Sequence, residues 1–265
     1  MLYTYPVFLS NNGDKIPANI RVVEPGTGSK QAERGSLYAV VDLRGSHPER
    51  EHIAEQMLSE LQNGYYSLKG KQSAVLSGAV QQAMDALADF NSRNSHSALS
   101  GGVIAAGILN SRLMIASAGP LFAMLSIGKS VEMFPLEEGM NASDAAPELI
   151  LRREVNAGDA LFLGAAAWED AISLRVLAAT VAHIDLENRY DAASGILEQV
   201  RSTPPPGMFL IVNDEAPTTR NAPSSPRTPG ARRSSLGGLP TSVGAQPPTV
   251  RPATQGDMQR REEVA

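Results

Sequence analysis

Cysteine is absent from the 265 residues. That excludes a disulfide framework, a zinc ribbon, a thiolate nucleophile and an iron–sulfur cluster together. It fits a reducing, cytoplasmic setting. No apolar run approaches the roughly 18 residues that a membrane-spanning helix needs, so these residues are expected to contain no membrane span. The opening Met1-Leu2-Tyr3-Thr4-Tyr5-Pro6 lacks the basic start and long apolar stretch of a signal peptide. An excess of basic charge is missing too: the formal charge of -5 argues against general nucleic-acid binding. Aromatic residues are scarce, at 5% with one tryptophan, yet AVILMFWYC make up 42%, enough for a full core.

The net charge hides an asymmetry. From Glu215 to Ala265 there are seven arginines and four acids, 8 of the 18 prolines, and no Phe, Tyr, Trp or Ile. The remaining residues carry 16 bases and 24 acids, a net -8. A segment so poor in large apolar groups cannot repay its ordering entropy. The chain therefore divides into a folded domain, 1–214, and a disordered Pro/Ser/Arg-rich tail or linker, 215–265. The closing Met258–Ala265 regains helix-forming residues, either the start of a helix in a longer parent or a frayed end. Within the tail, Arg232-Arg233-Ser234-Ser235 makes Ser235 a candidate phosphoacceptor for a basophilic kinase. Arginine outnumbers lysine 18 to 5, and alanine and glycine are abundant, a pattern of GC-rich coding that points to a bacterium.

In the first 214 residues, 18–24 and 37–43 read as strands, the second almost continuously apolar and hence buried. Ser46 and Glu49 stand at capping-box spacing, with Pro48 in a first helical turn. Ile53, Met57, Leu58 and Leu61 follow at helical spacing. Leu76, Val80, Ala83, Met84, Leu87 and Phe90 form the stripe of a second helix over 74–91. Strands at 101–109 and 112–117 join through Asn110-Ser111. Those at 121–126 and 130–134 join around Gly128, and those at 149–155 and 160–163 turn through Asn156-Ala157-Gly158-Asp159. Helices at 168–181 and 190–201 and a strand at 208–212 complete the domain. Runs of strands beside runs of helices argue for an α+β fold. There is antiparallel strand enough for two sheets, and amphipathic helix enough to cover both outer faces.

Five strings in this order carry a resemblance: Val40-Val41-Asp42-Leu43-Arg44-Gly45-Ser46; Ser100-Gly101-Gly102-Val103-Ile104-Ala105-Ala106; Ala116-Ser117-Ala118-Gly119-Pro120; Ala157–Asp170; and Pro206-Gly207-Met208-Phe209-Leu210-Ile211-Val212. Over roughly residues 15–213 the chain resembles the metal-dependent serine/threonine protein phosphatases of type 2C, the PPM family. The resemblance implies a four-layer α/β/β/α sandwich of two antiparallel sheets flanked by helices. It also implies a site where aspartates hold Mn²⁺ or Mg²⁺, which activate a water for attack on phosphorus. Set on that pattern, only Asp42 keeps its carboxylate. Leu43 stands for the glycine after it, and Pro120, Ala166 and Pro206 stand for three aspartates. The family's early Arg and acidic pair are not evident; Arg21 and Glu24 are the nearest residues and miss the spacing.

One carboxylate is too few for two hard cations. The reading is of a catalytically degenerate relative, a pseudophosphatase with no catalytic residues and no metal. It acts as a signalling or protein-interaction module for a protein partner, a kinase or a phosphoprotein. The alternatives are a working phosphatase with an atypical metal site, and a structural or small-molecule-binding domain that keeps only the fold. Asp42 itself reads either as a retained ligand position or as a cap for the turn that follows. Asp159 reads as a turn residue, Asp170 as a carboxylate favoured in a first helical turn, and Trp168 as core packing. The four histidines, His47, His52, His96 and His183, are scattered without partners at metal spacing.

Overall fold

The computed structural model describes residues 2–10, 15–128, 130–134 and 149–215. The apolar run Leu37 to Leu43 lies in strand β3 (Ser36–Arg44), and its lack of alternation has a direct cause: both faces are covered. Leu37, Ala39, Val41 and Leu43 point into a core shared with helices. Tyr38 and Val40 point into a second core between two sheets.

The first sheet runs in the order β2 (Ile20–Val23), β3, β4 (Ser100–Leu109), β5 (Arg112–Ala118), β8 (Leu149–Glu154). The second runs β1 (Tyr3–Phe8), β10 (Gly207–Asn213), β9 (Ala160–Ala165), β6 (Leu121–Ile127), β7 (Ser130–Phe134). Every pairing is antiparallel. Ile104, Ile115, Leu125, Leu163 and Leu210 fill the space between the sheets. Helices α1 (Arg50–Ser67) and α2 (Gln72–Arg93) cover the first sheet through Met57, Leu58, Leu61, Leu76, Val80 and Phe90. Helices α3 (Trp168–Ala171), α4 (Leu174–His183) and α5 (Arg189–Gln199) cover the second, closing over Phe122, Phe162 and Phe209. Each large side chain buried this way contributes about 1.5–3 kcal/mol. The molecule is an α+β, four-layer sandwich, as the order of elements implies. None of the helices among the described residues is long and apolar enough to cross a membrane.

Three local expectations are corrected. Strand β1 is absent from the sequence reading because Pro6 lies inside it; as an edge strand it tolerates a proline, and it pairs with β10 from Tyr3↔Asn213 to Phe8↔Met208. The capping box does not form. Helix α1 starts at Arg50 with Glu49 as its N-cap and no side-chain cap bond, which leaves Ser46 three residues outside. The turn is set by His47, whose Nδ1 accepts from the Glu49 N–H at 3.1 Å. The expected helix over 168–181 breaks in two, because Ile172 is extended and buried, ending α3 so that α4 lies flat on the sheet. Ser235 and the Met258–Ala265 segment lie outside the described residues.

Candidate functional site

The register of the first sheet explains where Asp42 sits. On β3 it shares a face with Tyr38 and Val40, so its carboxylate stands on the side facing the second sheet, at the strand's end. Its cross-strand partner is Gly102. Gly101, at φ +142°, has no room for a side chain: a β-carbon there would fall on the Asp42 carbonyl. Gly119, at φ +86°, turns the chain from β5 in one sheet to β6 in the other, and a β-carbon there would lie 2.6 Å from the Gly101 carbonyl oxygen. The chain thus crosses from the first sheet to the second beside Asp42, where β3, β4 and the end of β5 lie at backbone-to-backbone distance.

From that crossing the remaining positions follow in sequence of contact. The Ala166 N–H donates to the Pro120 carbonyl at 2.9 Å, and the Ala165 N–H donates to the Pro206 carbonyl at 3.0 Å. The Trp168 indole Nε1 also donates to the Pro206 carbonyl, at 3.0 Å. Trp168 is fully buried, and it lies over Gly164 and Gly207, where a side chain on either glycine would collide with the indole. The fold therefore brings Asp42, Pro120, Ala166 and Pro206 to one end of the sandwich from four distant parts of the chain.

The Leu43 side chain faces the opposite way, into the core against α1 and α2, while its backbone lies beside Gly101 next to Asp42. Arg21 pairs with Ala39 across β2 and β3 and so also stands on the helix side, away from Asp42. The Glu24 carboxylate accepts the Tyr38 phenol at 2.7 Å. Burial, aided by Glu24, pushes the Tyr38 phenol well above its ordinary range.

Sequence reasoning overlooked Arg44. Its Nε meets Asp42 Oδ2 at 3.1 Å, with the Arg44 side chain half-exposed and the Asp42 carboxylate nearly enclosed. No backbone N–H of the following turn is bonded to that carboxylate among the described residues, so the cap reading of Asp42 gives way to an ion pair. The available signal was an arginine two positions after an aspartate, on the same face of one strand. Asp159 does act as a turn residue: its two carboxylate oxygens accept the N–H groups of Gly128 and Asn156. Asp170 is exposed in the first turn of α3.

Among the described residues, the donor set at this end of the sandwich is one carboxylate, already paired with a guanidinium, beside proline and alanine side chains that offer no ligand atom. Among the described residues, no group of three or more His, Asp or Glu side chains is placed to hold a metal ion. Two hard divalent cations, each wanting several oxygens, do not fit the side chains present.

Neither a family model nor a curated protein matches the sequence. Solved structures do match the fold. The catalytic domain of the serine/threonine phosphatase PstP, solved with two manganese ions, superposes with a TM-score of 0.56 at 16% identity, over 80% of this chain and 97% of that one. Stp1 of Staphylococcus aureus gives 0.56 at 14% identity, over 82% and 96%. PppA, a regulatory component of the type VI secretion system in Pseudomonas aeruginosa, gives 0.56 at 11%, over 80% and 97%. The chain has the fold of the type 2C, or PPM, serine/threonine phosphatases.

Proposed function

We propose that this chain is a non-catalytic phosphatase-like module, a pseudophosphatase, which works in the cytoplasm by binding a protein partner such as a kinase or a phosphoprotein. One observation supports the reading above the others. Where the turns of both sheets converge, the described residues supply a single carboxylate, and Arg44 is already paired with it. Hydrolysis by this fold calls for a metal-bound water of lowered pKa. A site whose other positions are Pro120, Ala166 and Pro206 provides neither the charge nor the oxygens to hold the metals. The PstP domain was solved with two manganese ions; no such centre is proposed for this chain.

The test is phosphate release from p-nitrophenyl phosphate by the full chain with millimolar Mn²⁺, beside calorimetry with Mn²⁺ alone. The expected result is release equal to a protein-free control and no site tighter than the millimolar range. Turnover that disappears in Asp42→Asn would overturn the reading and establish a working phosphatase with an unusual site.

A further inference from the structure

Positive charge is scarce on the folded part of this chain, where 16 bases face 24 acids. A groove with more bases than acids departs from that background. It lies at the outer edge of the first sheet, between the start of α2 and strands β5 and β8. Its volume is about 400 Å³, and Ser73, Arg112, Met114, Arg152 and Glu154 are among the residues that line it.

Cross-strand pairing sets Arg112 opposite Glu154 and Met114 opposite Arg152, so these side chains share the helix-facing side of the sheet. Arg152 is held in place by Ser73: its Nη2 donates to the buried hydroxyl at 2.8 Å. Arg112 is exposed, and its guanidinium makes no hydrogen bond or ion pair among the described residues, with Glu154 or any other. Arg153 faces the other way, and its charge is already met by Glu132 at 2.8 Å. β8 is the last strand of its sheet among the described residues, so one row of its backbone N–H and C=O groups has no strand beside it there.

We propose that this groove is a docking site for an extended acidic or phosphorylated segment of a partner protein. The segment adds as a strand along β8, sets one anionic side chain on Arg152, and reaches with the next past Glu154 to Arg112 on β5. Two independent features support it. Backbone pairing at a sheet edge supplies affinity, and side chains on alternate positions supply selectivity. A guanidinium fork matches carboxylate and phosphate oxygens two at a time. Anionic groups on every second residue of an added strand recur about 7 Å apart on one face, the face on which β8 presents Arg152 and Glu154 and β5, one strand further in, presents Arg112. The surface is separate from the site at Asp42. Arg112 and Ala118 are the two ends of β5, about 20 Å apart, and Asp42 lies at the Ala118 end. The proposal therefore stands or falls independently of the catalytic status of the chain.

The experiment uses fluorescein-labelled ten-residue peptides of alternating threonine and glutamate, the same with phosphoserine for glutamate, and the same with lysine. Each is titrated into the full chain by anisotropy, with amide ¹⁵N shifts followed in parallel. The glutamate and phosphoserine peptides are expected to bind and the lysine peptide not to. The shifts should gather on residues 149–154 and near Arg112, and binding should weaken as salt rises. Arg112→Glu is expected to weaken binding roughly tenfold or more, whereas Arg93→Glu at the far end of α2 leaves it unchanged. Arg112 has no bond to lose, so its variant tests the groove without disturbing the Ser73 contact. Equal binding of the lysine peptide, wild-type affinity in Arg112→Glu, shifts that avoid β8, or no binding of either anionic peptide would each overturn the proposal.

Discussion

At the scale of single residues, the crossing of the chain out of the first sheet beside Asp42 depends on positions where a side chain has nowhere to go. Gly101 combines a left-handed backbone, φ +142°, with a neighbour that is the Asp42 carbonyl itself, so relief requires moving a strand rather than a side chain. Gly158 also has positive φ but open space around it. Gly101→Ala is expected to cost about 3 kcal/mol or more, and Gly158→Ala about 1 kcal/mol, read from urea midpoints at constant slope. Similar costs at the two sites would show that the crossing is slack. Tyrosines give a second residue-level expectation. Burial raises the phenols of Tyr38, Tyr65 and Tyr66 above the ordinary 10.0. Each also donates a hydrogen bond, to Glu24, the Arg34 carbonyl and the Gly35 carbonyl respectively. A group whose folded pKa is raised holds its proton more tightly folded than unfolded. Its contribution to stability is therefore complete below about pH 10 and is lost as the pH climbs further. Phenolate absorbance should show an incomplete native titration followed by a jump that coincides with unfolding by circular dichroism. A smooth titration of all six tyrosines in the folded protein would contradict this.

At the scale of elements, what local sequence announces and what it conceals can be told apart physically. Two hairpins were readable because their turns carry their own chemistry: Asn110 adopts φ +56° and Gly128 φ +63°. The turn at Gly158, φ +94°, was readable in the same way, but the strands it joins, β8 and β9, lie in different sheets and do not pair as expected. The stripes of α1 and α2 were readable because long amphipathic periods have no competing explanation. Strand β1 was hidden by Pro6, whose penalty vanishes only once the strand is known to be an edge. The break at Ile172 was hidden because it follows Trp168, whose place over Gly164 and Gly207 is fixed by a bond to the Pro206 carbonyl, 38 residues further along the chain. The start of α1 shows the same effect. Its spacing imitates a capping box, but His47 fixes the turn, with its ring edge-on to Phe90 at 4.8 Å and its Nδ1 on the Glu49 N–H. Ser46→Ala is therefore expected to change stability by less than about 0.3 kcal/mol, where a true cap would cost about 1. His47→Ala is expected to cost about 1 kcal/mol. A larger loss in Ser46→Ala than in His47→Ala, measured in the same denaturant series, would restore the capping box.

At the scale of the whole molecule, the convergence of Asp42, Pro120, Ala166 and Pro206 was readable only through the order of five weak strings, since no spacing rule links positions in two different sheets. Which way Leu43 faces, and that Arg44 pairs with Asp42, followed only from strand register. The same layered construction makes the molecule unequal across its thickness. Seven residues of α1 and nine of α2 are buried, against two each in α4 and α5. On the outer side of the second sheet, Val131, Met133, Leu174, Val176 and Leu197 are only partly covered. Apolar burial is the main term holding a helix to a sheet, so the α4–α5 layer has less to lose on detaching than the α1–α2 layer. Local opening follows the weakest packing. Hydrogen exchange followed by mass spectrometry should therefore show peptides covering 174–199 exchanging by openings insensitive to low denaturant, while peptides covering 53–90 exchange only with global unfolding. Peptides from β4 and β9, enclosed on both faces, should join the slower class. If 174–199 exchanges at the global rate under the same conditions, the two helical layers are bound equally, and partial coverage of the second sheet carries no energetic weight.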